Sequence, residues 1–339
     1  MKHILITGAA GFIGINLVKK LLKENETNEI KNKIIMIDNF ICSNKYFENI
    51  YKTMKDENEN YLEFMNLDIC IEKPELFINL FKNKYEIIDE IYHLASIASP
   101  IIYKKYPLET LDTSYIGSKN IFELGLYYKS KILITSTSEV YGDPLISPQN
   151  EDYFGNVNCY GPRSCYDEGK RVMETLAYVY QKYYNLDIKI IRIFNTYGPY
   201  MNIQDGRIIP SLIESYLCNK PIKIFNGGRQ TRSYNYIDDT LEGMFKLMKS
   251  DIKTPVNIGN DKEISIIETY EIMKKIIKER YSEYYKELEI EYSISDENDP
   301  KIRRPDLQKS KELLDYEPKT TLEEGLCKTI DYFIEYHKW

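Results

Sequence analysis

A tyrosine and a lysine stand four residues apart in the run Tyr166-Asp167-Glu168-Gly169-Lys170. Residues at this spacing share one face of a helix, with β-carbons about 5–6 Å apart. We expect the charge of Lys170 to favour the phenolate of Tyr166 and to lower the pKa of that phenol from its usual value. Such a phenol can exchange a proton with a hydroxyl group while a hydride moves to or from a nicotinamide. Because the chain has 31 tyrosines, a surface pair without function is the alternative.

Polar residues that follow a predicted strand support a catalytic role for Tyr166 and Lys170. Thr137, Ser138 and Glu139 come directly after the run 132–136, whose first residues are mostly apolar. In parallel sheets with helical connections, the carboxyl ends of the strands face the ligand crevice. We therefore expect the two hydroxyls and the carboxylate to approach a substrate beside Tyr166. The alternative is a polar strand exit without a chemical role.

A glycine-rich turn follows the first apolar run of the chain. Gly8 permits a tight turn, Gly11 lets the backbone approach a pyrophosphate, and Gly14 allows close packing of helix on strand. The start of the helix adds free N–H groups and a positive dipole end. Turns without a ligand can also select three glycines, so the neighbouring residues must show whether this loop binds a dinucleotide. The predicted dinucleotide contacts in this loop are Gly8, Ala10, Gly11, Phe12, Ile13 and Gly14.

Acidic residues close the second and third predicted strands. Asp38 is placed to hydrogen-bond the two ribose hydroxyls and would repel a 2′-phosphate, so the predicted cofactor is NAD rather than NADP. Asp68 is expected at the adenine edge, although Asp is also common after strands. Further predicted cofactor contacts are Asn39, Ile69, Leu94 and Ala95, together with Tyr166 and Lys170.

The elements that position these residues alternate short apolar runs with helical patterns, which is typical of a doubly wound parallel sheet. The predicted strands span 3–6, 34–37, 62–66, 90–93, 132–135 and 188–193, and two predicted helices span 12–23 and 108–128. The polar stretch 52–60 predicts an exposed loop or a frayed helix end. The predicted fold class is α/β, a Rossmann-type doubly wound parallel sheet with a smaller C-terminal α/β lobe.

The rhythm of the chain changes after about residue 197, where elements become shorter and Pro, Gly and Asn more frequent. We expect residues 1–196 to form the NAD-binding domain with the catalytic residues, and 197–339 to form mainly the substrate-binding lobe. Predicted elements of that lobe are a helix at 210–218, a strand at 222–225 and a helix at 266–281. The segment 238–260 begins with a helical pattern and is a candidate to return to the first domain, so no clean linker is expected.

Composition sets the outer limits. The chain has 339 residues, 43% hydrophobic and 29% charged, as in ordinary globular proteins. Its net charge of -7 argues against a nucleic-acid partner, which needs a basic surface. Six cysteines show no CxxC pair, so reduced thiols are expected rather than disulfides, and no metal is expected. With a strand predicted from the start and no apolar run of bilayer length, we expect no signal peptide, no membrane partner and a cytoplasmic location.

Together these features resemble the extended short-chain dehydrogenase/reductase family, which acts on nucleotide sugars. Within it, the chain is similar to the UDP-glucuronate decarboxylases over nearly its whole length. The similar segments are HLAS (93–96), STSEVYGDP (136–144), GPRSCYDEGKR (161–171), NTYGP (195–199), QTRSY (230–234) and DPKIRRPD (299–306). The resemblance implies NAD-dependent oxidation at C4 of UDP-glucuronate, loss of carbon dioxide from the UDP-4-keto sugar, and reduction to UDP-xylose, with NAD regenerated.

The resemblance also implies roles for single residues. Tyr166 would be the base at C4, assisted by Lys170 and Thr137. Glu139 would act near the sugar ring during decarboxylation, and Arg303 would bind the carboxylate or help to protonate the product. The implied substrate contacts are Ser138, Asn195, Arg207, Gln230, Arg232, Tyr236 and Arg303. Each arginine could instead be a solvated surface charge.

Other activities stay open at this point. A 4-epimerase shares the tyrosine, the lysine and the first oxidation. A 4,6-dehydratase is disfavoured because Ser138 stands where dehydratases of the family usually carry an Asp, and a hydroxyl is a poor replacement for a carboxylic acid as proton donor. A module that senses NAD without chemistry is a further alternative, since a fold does not fix a function.

Two positions depart from the decarboxylase pattern. Tyr200 stands where an Arg is usual, which could alter how the diphosphate is held, and Ser114 stands where an Asn is usual, which could loosen packing near the cofactor. The family also implies a homodimer through a four-helix bundle. The segments 108–128 and 163–184 would supply it, although their apolar faces could equally serve the internal core.

Overall fold

A computed structural model of the chain describes residues 1–44, 46–293 and 302–336, so Asp299, Pro300 and Lys301 of the DPKIRRPD segment lie outside the described residues. The strands are β1 (Lys2–Thr7), β2 (Asn32–Asp38), β3 (Leu62–Asn66), β4 (Glu90–His93), β5 (Lys131–Thr137), β6 (Ile188–Ile193), β7 (Thr196–Tyr197), β8 (Ile222–Phe225), β9 (Thr231–Arg232), β10 (Asn235–Tyr236), β11 (Val256–Ile258), β12 (Ile264–Ser265) and β13 (Ile290–Ser293). The helices are α1 (Phe12–Thr27), α2 (Phe47–Glu57), α3 (Pro74–Lys82), α4 (Pro100–Lys105), α5 (Pro107–Asp112), α6 (Ser118–Tyr128), α7 (Ser164–Tyr184), α8 (Ile208–Cys218), α9 (Ile237–Lys249), α10 (Ile266–Arg280), α11 (Gln308–Leu314) and α12 (Leu322–Tyr336).

Seven strands of the described chain form one parallel sheet in the order β11-β6-β5-β4-β1-β2-β3. Its strands are almost continuously apolar because helices cover both faces. Within β1, Ile4 and Ile6 belong to the core on one face of the sheet, and Leu5 belongs to the core on the other. The predicted α/β fold with a doubly wound parallel sheet is confirmed.

The two cores are filled by different helices. On the face of Leu5, helices α3, α6 and α7 contribute Phe77, Phe122 and Met173. On the opposite face, α1 and α9 contribute Val18 and Leu241, among others. This arrangement leaves the carboxyl ends of the strands free to form the edge at which a crevice opens.

The smaller lobe is built from α8, α10 and α12 with short strand pairs, of which β8 pairs with β13 in parallel and β9 with β12 in antiparallel orientation. Helix α10 begins with a capping box: the Ser265 hydroxyl accepts from the Glu268 N–H at 3.2 Å, and the Glu268 carboxylate accepts from the Ser265 N–H at 2.9 Å. This exchange satisfies two N–H groups at the helix start.

The polar stretch 52–60, predicted as an exposed loop or a frayed helix end, contains the end of a helix: residues 52–57 form the second half of α2, because Phe47, Ile50 and Met54 bury one face of that helix. Other elements differ from the sequence prediction. The predicted helix 108–128 is divided into α5 and α6 by a wide turn of π-helix at Thr113–Gly117. Strand β11, only three residues long, was not predicted and pairs with β6 at the edge of the sheet.

No helix within the described ranges has both the length and the apolar character that crossing a bilayer requires. Among the same residues, no group of three or more His, Cys, Asp and Glu side chains is placed to hold a metal ion.

Candidate active site

The glycine loop between β1 and α1 packs against the end of β4. Gly8 has a φ of +66°, and a β-carbon there would lie 2.7 Å from the backbone nitrogen of Ala95. A β-carbon on Gly14 would lie 2.4 Å from the carbonyl oxygen of Gly8. Both contacts are too short for any side chain, so the loop requires glycine and leaves its backbone exposed toward the crevice.

A cleft of about 1150 Å³, including the part that opens to solvent, lies along this loop. The predicted cofactor residues that line it are Gly8, Gly11, Phe12, Ile13, Gly14, Asp38, Asn39, Asp68, Ile69, Leu94 and Ala95. Ala10 lies behind the lining, where its N–H donates to the Asp38 carboxylate at 3.0 Å. Tyr166 and Lys170 are buried and do not line the cleft, but Lys170 donates to the carbonyl of Thr135, which does line it.

The carboxyl ends of β2 and β3 place Asp38 and Asp68 side by side. Asn39 bridges them, because its side-chain amide donates to Asp68 at 3.0 Å. Burial raises the pKa of the Asp38 carboxyl above its usual value, against the lowering effect of backbone N–H groups including that of Phe40. The Ser96 hydroxyl, another group in the cleft wall, is buried without a hydrogen-bond partner. The glycine cradle, the carboxylates and this unsatisfied hydroxyl fit a dinucleotide.

Helix α7 carries the tyrosine and the lysine on one side. Tyr166 is 7% exposed, and Tyr103 of α4 stacks on it with ring centroids 5.3 Å apart and ring planes 4° apart. The ammonium nitrogen of Lys170 lies 6.0 Å from the centre of the Tyr166 ring and donates to the carbonyl oxygen of Thr135 at 2.6 Å. The Thr137 side chain hydrogen-bonds the Tyr166 phenol.

The expected lowering of the Tyr166 pKa is wrong for the protein as described. Burial raises the pKa of Tyr166 to about 12, and the lowering effects of the Thr137 hydrogen bond and of Arg207 do not offset it. Burial also lowers the pKa of Lys170 to about 7, against the raising effect of Glu174. The physical reason is the same for both side chains, since desolvation penalises the charged form of each.

Glu139 lies in a cluster of charges beside the tyrosine. Its carboxylate accepts from Arg303 at 2.9 Å and from Arg163, and the Ser138 hydroxyl donates to it at 3.3 Å. Burial alone would raise the pKa of Glu139, but Arg303 and Arg163 outweigh burial and hold that pKa below its usual value. Glu139 is therefore an anion held between two arginines.

Three residues of this region were not predicted from the sequence. Tyr103 covers Tyr166, Arg163 contacts Glu139, and Asp167 lies 3.7 Å from Arg163. The spacing of four residues between Arg163 and Asp167 was a signal for an ion pair on α7. Nothing comparable pointed to Tyr103, because α4 reaches the site from a distant part of the chain.

The predicted nucleotide contacts occupy different places. Arg207 lines the cleft and pairs with Asp205 at 3.0 Å, and the side-chain nitrogen of Asn195 is buried without a hydrogen-bond partner. Gln230, Arg232 and Tyr236 lie outside the cleft lining. The ring of Tyr236 packs against that of Tyr197 with centroids 5.7 Å apart, in the same core that contains Ile4 and Val18.

The two unusual positions have clear surroundings. Tyr200 lines the cleft with a φ of +71°, and the Lys19 ammonium donates to its phenol at 2.6 Å. The Ser114 hydroxyl donates to the carbonyl of Thr110 at 2.9 Å, and it lies where a β-carbon on Gly169 would be 2.9 Å away. The structure thus shows a close contact at Ser114 rather than a gap.

Residues 5–329 match the family model described as GDP-mannose 4,6 dehydratase. UDP-glucuronic acid decarboxylase 6 of Arabidopsis thaliana is 44% identical over 324 residues, which cover 96% of this chain and 86% of that protein. UDP-glucuronic acid decarboxylase 1 of Danio rerio is 41% identical over 332 residues, covering 98% of this chain and 72% of that protein.

Solved structures with similar folds carry other activities. The UDP-glucuronic acid 4-epimerase of Bacillus cereus, in complex with UDP-glucuronic acid and NAD, has a TM-score of 0.83 at 28% identity and covers 98% of this chain and 99% of its own. The UDP-glucose 4-epimerase of Thermotoga maritima, with UDP-glucose, has a TM-score of 0.84 at 26% identity, with coverage of 99% and 100%. The relatives found by sequence are named as decarboxylases, whereas these two solved structures with a similar fold are named as epimerases.

Proposed function

Because the chain belongs to the family that the GDP-mannose 4,6-dehydratase model describes, within the extended short-chain dehydrogenases/reductases, we propose that it decarboxylates UDP-glucuronate to UDP-xylose. The reaction passes through a UDP-4-keto sugar. The observation that carries this function is the contact of Glu139 with Arg303 beside Tyr166, with Ser138 rather than a carboxylic acid before the glutamate. Relatives up to 44% identical over nearly the whole chain bear the decarboxylase name.

The cleft is the proposed NAD site. Gly8, Gly11 and the start of α1 would receive the pyrophosphate, and Asp38 would receive the ribose hydroxyls. Asp68 and Ile69 would meet the adenine. When bound, NAD accepts the hydride from C4 of the sugar and returns it after carbon dioxide has left, so no net redox change occurs.

Tyr166 removes and returns the proton of the C4 hydroxyl. In our proposal its phenolate accepts the C4 hydroxyl proton during oxidation and the phenol returns a proton during reduction. Thr137 orients the phenol through their hydrogen bond. Lys170, fixed by its bond to the Thr135 carbonyl, stabilises the phenolate when it carries its proton.

Loss of carbon dioxide is assisted by Glu139 and Arg303. A ketone at C4 lies β to the carboxylate, so the C5–C6 bond can break with its electron pair delocalised into a C4 enolate. Arg303 would bind the departing carboxylate, and C5 then takes up one proton from the solvent. Glu139, held as an anion by two arginines, positions the sugar ring and has no proton to donate.

The nucleotide part would be held at the junction with the smaller lobe. We assign residues 1–196 to NAD and catalysis, with 238–260 attached to them, and 197–339 mainly to the nucleotide sugar. The proposed contacts are Ser138, Asn195, Arg207, Gln230, Arg232 and Tyr236. The unpartnered amide of Asn195 and the exposed part of Arg207 in the cleft support this assignment most directly.

A homodimer through α5, α6 and α7 is also part of the proposal. The side chains of Leu108 on α5, Tyr115 in the turn between α5 and α6, and Tyr178 on α7 are at least half exposed, as expected for a surface that a second copy covers. Six free thiols agree with a cytoplasmic location, where thiols stay reduced. Sedimentation velocity of the wild type and of Leu108→Asp tests the dimer, since a monomeric wild type contradicts it.

Product analysis tests the function. The purified protein, incubated with UDP-glucuronate and followed by NMR, should form UDP-xylose and carbon dioxide. Unchanged UDP-glucuronate contradicts the proposal. Formation of UDP-galacturonate alone contradicts it as well and favours a 4-epimerase, the activity named for the similar Bacillus cereus structure.

A further inference from the structure

A carboxyl group that the proposed reaction does not use lies in the charged cluster beside Tyr166. Asp167 follows the tyrosine on α7 and is only 7% exposed. One of its oxygens lies 3.7 Å from Nε of Arg163, and the other is buried with no hydrogen-bond partner. Buried carboxylates are normally paired and hydrogen-bonded, so this unsatisfied oxygen requires an explanation.

Arg163 connects Asp167 to the site. Its Nη2 contacts the Glu139 carboxylate, which Arg303 also contacts at 2.9 Å, while its Nε faces Asp167. One arginine is thus shared by two acids, and the second arginine reaches one of them. The four side chains form a single buried cluster whose total charge depends on whether Asp167 carries a proton.

We propose that Asp167, acting through Arg163, sets the pH range in which the cluster has one positive charge in excess for the carboxylate of a uronic acid substrate. This inference rests on the proposed function, because it names the group whose protonation controls the preference of the two arginines for UDP-glucuronate over a nucleotide sugar without a carboxylate. Asp167 is a positioning residue, since it acts on the substrate through its neighbours.

The charges of the cluster explain the selection. With a neutral Asp167, the two arginines and the Glu139 carboxylate sum to one positive charge, and a bound substrate carboxylate brings the sum to zero. With an ionised Asp167, the same substrate leaves one negative charge uncompensated in a buried site. An uncompensated buried charge is strongly unfavourable, so ionisation of Asp167 weakens binding of the carboxylate.

The titration of Asp167 places this effect near neutral pH. Burial, followed by the charge of Glu139, raises the pKa of Asp167 to about 7, against the lowering effects of Arg163 and Arg303. Glu168 on the same helix raises it further, and the Tyr103 phenol of α4 faces Asp167 as well. Below this pH the carboxyl is neutral and the cluster is positive. Above it the excess positive charge is lost.

Binding of two ligands across pH tests the proposal without turnover. The NAD-loaded Tyr166→Phe protein is titrated calorimetrically with UDP-glucuronate and with UDP-xylose between pH 6 and pH 8.5. UDP-xylose has the same diphosphate but no carboxylate. We expect the Kd for UDP-glucuronate to rise roughly tenfold over this range, the effect of about one pKa unit of linkage, and the Kd for UDP-xylose to change less than twofold.

Two substitutions in the same background complete the test. Asp167→Asn should abolish the rise and keep the Kd near its value at pH 6. Glu168→Gln removes one negative charge from the next residue, which pairs with Arg171 at 3.6 Å, and should keep the rise. An equal rise with UDP-xylose, or an unchanged rise in Asp167→Asn, overturns the inference. If Asp167→Asn does not fold, Asp167→Ser in the same background takes its place, because any neutral side chain at this position should abolish the rise, whereas a rise that came from Lys170 would remain.

The outcome is separable from that of the proposed function. A wild type that forms no UDP-xylose contradicts the decarboxylation, whereas the pH dependence of the two Kd values reports on Asp167 whether or not the sugar is turned over.

Discussion

Replacing Gly8 with alanine should damage both stability and NAD binding. Alanine in the left-handed region costs about 1–2 kcal/mol. The new β-carbon would lie 2.7 Å from the Ala95 nitrogen, and Ala95 is anchored, because its N–H donates to the Thr7 hydroxyl at 3.2 Å. Forcing backbone apart in a packed region adds about 1–3 kcal/mol, so the total loss is about 2–5 kcal/mol. The displaced loop should also bind NAD more weakly, because its backbone N–H groups no longer meet the pyrophosphate.

Gly227 provides the matched control. It has a φ of +67°, close to the +66° of Gly8, but a β-carbon there meets nothing within 4 Å. Gly227→Ala should therefore lose only about 1–2 kcal/mol and bind NAD like the wild type. Urea unfolding and calorimetric NAD titration of both variants measure the difference. Equal losses of stability, with unchanged NAD affinity in Gly8→Ala, would refute the close approach of the loop to β4.

Three further predictions concern the tyrosine, the lysine and a helix cap. Tyr166→Phe should lower kcat at least about 100-fold, the usual scale of acid–base catalysis, yet keep NAD, as measured by steady-state kinetics and cofactor content; a variant that keeps its rate contradicts the proposed base. Burial lowers the pKa of Lys170 from 10.5 to about 7, so between these pH values the unfolded chain holds a proton that the folded chain has lost. The unfolding free energy of the wild type should then rise with pH relative to Lys170→Met, and urea unfolding at pH 7 and pH 9.5 that shows no such trend refutes the burial of an uncharged lysine. Ser265→Ala removes the cap of α10 and should cost about 0.5–2 kcal/mol, whereas Thr27→Ala, at the exposed end of α1, should cost less in the same unfolding assay.

The large sheet was predictable because its strands are long, apolar and separated by helical patterns. Each of the first six strands covers the predicted segment, and β1, β2 and β5 extend it by two or three residues. Strand β11 was not predictable from local pattern, since Val256–Ile258 is too short to show a period and exists only because β6 offers a free edge. The two-residue strands of the smaller lobe have the same origin in tertiary contacts.

The site was predictable where chemistry follows spacing along the chain. Gly8, Asp38 and Glu139 stand at strand ends, and parallel strands bring such ends to one edge. The contact of Arg163 with Glu139 was not predictable, because it joins residues 24 apart through the packing of α7 against the end of β5. The burial of Tyr166 was also not predictable from the sequence. It reverses the expected direction of the Tyr166 pKa, and burial depends on the whole fold.

The raised pKa of Tyr166 leads to a last prediction: the phenol ionises more readily after NAD has bound than before. At neutral pH the phenol is protonated and Lys170 is only partly charged, a resting state that avoids burying unpaired charges. Oxidation at C4 needs the phenolate, so positive charge must arrive with a ligand, and oxidised nicotinamide is cationic. The difference in phenolate absorption between wild type and Tyr166→Phe should be absent up to pH 10 in the free protein and appear at lower pH with NAD bound, because a nearby positive charge lowers the pKa of a phenol. Identical titrations with and without NAD would mean that the protein alone sets the base, and that the pairing of Tyr166 with Lys170 is sufficient after all.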